Sequence, residues 1–133
     1  MAQTFKLEVV TPDKKVLSEE VQYAGVPGLE GEFGVLPQHI PFLSALGIGK
    51  LQYDKDGQRS SLFVSGGFAE VGFTSLSILA EAAEKTEDID RARAEQALKR
   101  AEKRLAQQEE GVDIVRAKMA MTRALGRLQC VGR

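Results

Sequence analysis

The 133-residue sequence predicts an α+β protein: an N-terminal antiparallel β-sandwich of about ten short strands followed by a C-terminal antiparallel two-helix hairpin. Three observations carry this expectation. Apolar residues alternate through residues 1–85, the period of a half-buried strand. Beyond Lys85 they recur at helical spacing instead. The charge balance changes at the same point, because residues 1–85 hold 7 Lys and Arg against 11 Asp and Glu, whereas residues 86–133 hold 11 against 8.

Taken in order, the strands come first. Phe5, Leu7 and Val9 alternate with polar neighbours, as do Leu76, Ile78 and Ala80, so one face of each strand enters a core. The reversals are written in turn chemistry at "TPDKK" (11–15), "VPGLEGEFG" (26–34), "DKDGQ" (54–58) and "GFTS" (72–75). "VSGGFAEV" (64–71) reads as a strand, a bulge and a strand. In residues 86–133, Ile89, Ala94, Ala97, Leu98, Ala101 and Leu105 form one helical stripe, and Ile114, Ala117, Met121, Ala124, Leu125 and Leu128 form another. Thr86 or Asp88 is expected to cap the first helix and Asp113 the second, and the glycine of "QQEEG" (107–111) suits the helix end between them. Facing alanine-rich stripes bury little area, so the hairpin is held weakly enough to open or to dock elsewhere.

Composition narrows the function. With 43% apolar and 28% charged residues, no apolar run near the ~18 residues that span a bilayer, and no charged-then-apolar leader, the sequence predicts a soluble protein that reaches a membrane only through a partner. A formal net charge of −1 argues against nucleic-acid binding. The single Cys130 has no second thiol to pair with and is assigned no role.

No catalytic set is legible. "GIGK" (47–50) lacks the earlier glycine and the following hydroxyl of a phosphate loop, those places holding Ser44 and Leu51, so its glycines are expected to shape a strand entry. His39, in "LPQHIP", has no poised nucleophile in sequence and reads as part of a rigid, exposed contact loop. The pairs Glu19/Glu20 and Glu30/Glu32 read as solvated loop charges, and no metal signature is present. The arginines stand out. Arg93 and Arg100 are seven apart on one helix, and Arg116, Arg123 and Arg127 fall seven and four apart on the other, so each set shares a face. Convergent guanidiniums require carboxylates or a polyanion among them. Glu84 and Asp90 are near enough in sequence to supply the carboxylates, and a triphosphate would satisfy the same need.

Over its whole length the sequence resembles the epsilon subunit of the rotary F-type ATP synthase, on the motifs "EGEFGVLPQHIPFLSAL" (30–46), "VSGGFAEV" (64–71) and "DIDRARA" (88–94). The last contains the Ile-Asp-x-x-Arg-Ala pattern associated with ATP binding in bacterial members of that family. The resemblance implies that Ile89 and Ala94 flank an adenine, that Asp90 accepts hydrogen bonds near it, and that Arg93, Arg100, Arg123 and Arg127 reach the phosphates. Glu84 matches a further family position, and Arg116 matches with no purpose assigned. It implies a non-catalytic rotor subunit with no catalytic cofactor and with ATP as a regulatory ligand. Residues 1–85 would clamp the gamma subunit, the loop near Glu32 and His39 would lie on the c-subunit ring, and residues 86–133 would regulate, reaching the alpha/beta hexamer when extended. Such a subunit sits peripherally on the cytoplasmic face of a bacterial cell membrane. A free-standing nucleotide-sensing module of the same fold is the alternative, and a small nucleotide hydrolase is disfavoured by the absent phosphate loop.

Overall fold

The computed structural model describes residues 3–107, 111 and 113–132. Eight strands come first: β1 (Phe5–Val10), β2 (Lys15–Val21), β3 (Tyr23–Gly28), β4 (Gly31–Val35), β5 (Phe42–Ala45), β6 (Ile48–Lys55), β7 (Gln58–Val71) and β8 (Ser75–Lys85). A 3₁₀ turn (Thr86–Asp88) then leads to α1 (Arg91–Gln107) and α2 (Ile114–Gly132).

Eight strands stand where about ten short ones were expected, because β7 and β8 are long, with 14 and 11 residues. They pair with each other from Leu62↔Lys85 to Val71↔Leu76 and serve both layers of the sandwich. Residues Phe68–Val71 of β7 pair with β5, whereas Gln58–Ser65 pair with β6, and β1 pairs only with Ser75–Leu79 of β8. Strand β7 turns the corner at Gly66–Gly67, whose φ angles of 70° and 104° favour glycine. A side chain at 67 would run into the Leu79 carbonyl. The expected bulge is absent here: Ser65 pairs with Ala82 and Gly67 with Ala80, so the strand bends without an inserted residue.

The sheet follows the order β2-β1-β8-β7-β6-β3-β4, with β5 on β7. Every pairing is antiparallel except that of β1 with β8, which is parallel. No hairpin joins these two strands, so no short connection dictates their direction. The "VPGLEGEFG" stretch, read as a reversal, is mostly strand, because β3 and β4 pair up to Gly28 and Gly31 and leave only Leu29 and Glu30 to turn. Asp56 and Gly57 form the tight β6–β7 turn with φ of 50° and 80°. Phe5, Leu7, Val9, Val26, Leu51, Leu62, Val64, Leu76 and Ile78 fill the core between the layers.

The helices cover the outer face of the β6–β7 layer. Helix α2 packs on β6 and β7, and α1 packs on α2. Ala94 and Ala101 of α1 and Ala117 and Ala124 of α2 are buried as the stripes predicted, but Ile114 and Leu125 are exposed. The α1 cap is Asp90, not Thr86 or Asp88: its Oδ1 accepts the Arg93 backbone N–H at 3.1 Å. Thr86 is used otherwise, its hydroxyl donating to the Ser61 carbonyl at 2.7 Å, and Asp88 ends the 3₁₀ turn. Asp113 caps α2 as expected, accepting from the Arg116 N–H at 3.0 Å. Of the "QQEEG" link, residues 108–110 lie outside the described residues, while Gly111 has the left-handed φ of 92° that suits a helix end.

Candidate functional site

Helix α2 approaches the sandwich closely because both surfaces lack side chains at one point. A Cβ on Gly126 would meet Phe63 Cε1 at 3.0 Å and the Gly49 Cα of β6 at 3.4 Å. Phe63 is fully buried but points away from Leu62 and Val64, onto the outer face of β7 and under α2. This contact sets the next residue, Arg127, over the same ring, with its guanidinium 4.6 Å from the ring centroid. Its Nε donates to Glu84 Oε1 of β8 at 2.5 Å.

Beside this junction lies a cleft of about 350 Å³, lined by Glu84, Asp88, Asp90, Arg93, Ala94, Ala97, Arg100 and Arg127. Residues from β8, the 3₁₀ turn, α1 and α2 therefore meet in one place. Six of the eight residues assigned to an ATP site line it; the buried Ile89 and the half-buried Arg123 are not part of the lining. Arg116 is elsewhere, beside Arg104, Gly111 and Asp113 in a separate shallow cleft. The counter-charge question divides residue by residue. Glu84 neutralises Arg127, whereas the Asp90 carboxylate is spent on the α1 backbone. No ion pair joins Arg93 or Arg100 to an acid among the described residues. Two exposed guanidiniums thus face the cleft without an acid partner, next to the apolar surface of Ala94 and Ala97. Arg91 points elsewhere: it lies within 3.9 Å of Glu95 and lines a different cleft with Lys50 and Leu125.

Glu32 and His39 lie at one end of the sandwich. Glu32 is exposed on β4, and its neighbour Phe33 packs edge-on to Phe42 at 5.2 Å between ring centroids. Phe42 in turn lies 5.3 Å from the His39 ring, and His39 Nδ1 is 2.8 Å from the Ile40 carbonyl oxygen. Leu36, Ile40 and Leu43 project around this loop, all at least 60% exposed. Among the described residues no metal-binding cluster is found, and no helix is long and apolar enough to cross a membrane. Cys130 is half-buried beside Thr86, and burial pushes its thiol pKa up despite the opposing charge of Lys50.

Sequence reasoning missed Asp88 and Ala97 in the cleft, and Phe63 and Gly126 beneath it. Gly126 did leave a signal: a glycine inside an otherwise helical run costs about 1 kcal/mol and marks a close backbone approach. Phe63 left none, since an alternating strand does not say what covers its second face.

The family model for the beta-sandwich domain of the ATP synthase delta/epsilon chain matches residues 4–86, and that for its long alpha-helix domain matches residues 87–132. The ATP synthase epsilon chain of Nitratidesulfovibrio vulgaris (strain DP4) is 58% identical over 132 residues, covering 99% of this chain and 98% of the relative. That of Pelotomaculum thermopropionicum is 53% identical over 131 residues, 98% of each. A chain in the cryo-EM structure of the Euglena gracilis mitochondrial ATP synthase, comprising OSCP, F1 and c-ring, superposes with a TM-score of 0.82 at 26% identity, covering 93% of this chain and 79% of that one. Both halves of the sequence and nearly the full length of its relatives agree, and the chain belongs to the ATP synthase delta/epsilon chain family.

Proposed function

We propose that this chain, a non-catalytic central-stalk subunit of ATP synthase, binds ATP as a regulatory ligand between its hairpin and its sandwich, and that the nucleotide holds the hairpin down. One observation carries the reading: Arg93 and Arg100 face a cleft shared with Arg127 without an acid partner among the described residues. Guanidiniums fork onto phosphate oxygens, and the methyl groups of Ala94 and Ala97 offer a base an apolar wall. Ile89 and Arg123, outside the lining, stand one residue from Asp90 and one turn from Arg127.

The same reading places the sandwich on the gamma subunit and the Glu32/His39 end on the c-subunit ring, with the alpha/beta hexamer contacted by an extended hairpin. The exposed Leu36, Ile40 and Leu43 support a buried contact at that end. The complex would hold the chain peripherally at the cytoplasmic face of a bacterial cell membrane.

Calorimetric titration of ATP into the isolated chain tests the ligand. Arg93→Ala should weaken binding by about 1.5–3 kcal/mol, the worth of a hydrogen bond to a charged group, while Arg91→Ala, in the other cleft, should do little. No heat from the parent at millimolar ATP, or equal losses in the two variants, would return the arginines to an ordinary solvated helix face.

A further inference from the structure

Resting on the ATP reading above, we infer that Phe63 is the positioning residue of the anion site: its ring seats Arg127, so the site is complete only while α2 is docked on the sandwich. Phe63 is fully buried, yet it stands apart from the cluster that fills the sandwich. Aliphatic side chains also cover outward strand faces beneath helices, so burial alone does not call for the flat face of an aromatic ring at this position. The ring is placed instead for Arg127. Gly126 lets it slide beneath the helix, where a Cβ would stand only 3.0 Å from Phe63 Cε1, and the guanidinium of the very next residue lies 4.6 Å above its centroid.

The seat has two walls. The ring holds one face of the guanidinium by cation–π attraction, and Glu84 takes the Nε–H. The terminal nitrogens keep their donors for the cleft, which Arg127 lines together with Arg93 and Arg100. Those two arginines ride on α1, which packs on α2 and moves with the hairpin. Arg127 alone among the three is fastened to the sandwich, through β7 and β8. A polyphosphate bridging all three is therefore bound only by the docked form, and lifting α2 removes the ring from beneath Arg127. Binding and docking become one linked equilibrium through this residue pair.

The experiment is a double-mutant cycle by calorimetry with ATP on the full chain, using Phe63→Leu, Arg127→Ala and the pair, with thermal melts alongside. Phe63→Met, which fills the space with a flexible chain and no ring face, is measured in parallel should the leucine variant not fold. Loss of a half-buried cation–π contact predicts that either Phe63 variant weakens ATP binding about three- to tenfold. In the Arg127→Ala background the same change should cost clearly less, because only the ring's share in docking α2 then remains. Unchanged affinity in the Phe63 variants, or an equal loss with and without Arg127, would overturn the positioning role. Absence of heat from the parent would overturn the ATP reading itself, a result distinct from either.

Discussion

Enlarging Gly126 should lift the helical hairpin from the sandwich without touching a single residue of the cleft. The perturbation is Gly126→Val. Its first added atom already meets Phe63 Cε1 at 3.0 Å, Phe63 Cδ1 at 3.2 Å and the Gly49 Cα at 3.4 Å. Phe63 is packed on every side and Gly49 is backbone within β6, so neither gives way without moving the strand that carries it. Overpacking of this kind costs about 1–3 kcal/mol. Replacing a helical glycine by valine also restores a little helix propensity, a few tenths of a kcal/mol by order of magnitude, but the gain is the same whether α2 is docked or free, so it cancels from the docking equilibrium. The net expectation is a shift toward the undocked hairpin of about 5- to 150-fold. Amide hydrogen exchange reads it directly: α2 amides should exchange faster by that factor, while those of β1 and β8 stay protected. If ATP binds only the docked form, its apparent affinity falls with the docked fraction. Unchanged α2 exchange in Gly126→Val would refute the reasoning, since the contact would then not govern docking. Loss of protection in β1 and β8 as well would show that the two layers do not separate in energy as argued.

Two further outcomes follow from the same geometry. The Cys130 thiol, raised by burial from its ordinary 9.0, should alkylate slowly at neutral pH, with a rate that rises with pH and levels off only above that value. In Gly126→Val the midpoint should fall back toward it, and a pH–rate profile unchanged by the substitution would mean that docking does not bury the thiol. At Asp90 the structure separates two roles, because the carboxylate is the α1 cap as well as the expected acceptor for an adenine. Asp90→Ala should destabilise the helix start by about 0.5–2 kcal/mol, while Asp90→Ser keeps a capping oxygen. ATP calorimetry on the two then decides: restored binding in the serine variant makes capping the whole of the residue's contribution, and equal weakening in both makes the carboxylate a reader of the base.

Sequence alone determined what depends on neighbours along the chain. The alternation of Phe5, Leu7 and Val9 and the helical spacing of Ala94, Ala101, Ala117 and Ala124 each reported a buried face correctly, because side-chain period is a local property of the backbone. Turns such as Asp56–Gly57 and the Asp113 cap were legible for the same reason. The arginine faces were legible as faces, and the family resemblance assigned Glu84, Ile89, Asp90, Arg93, Ala94, Arg100, Arg123 and Arg127 to one set, of which all but Ile89 and Arg123 line the cleft. What only the tertiary structure decided was everything that depends on two distant segments meeting. The parallel pairing of β1 with β8, the unbulged corner at Gly66–Gly67 and the merging of expected short strands into β7 and β8 arise from how the layers close. So do the division of counter-charges, in which Glu84 serves Arg127 while Asp90 serves a backbone N–H, and the seat of Arg127 on Phe63 beneath Gly126. A side chain's period tells which way it points, but its partner is fixed by the packing of surfaces far apart in sequence, and that packing has no local signature.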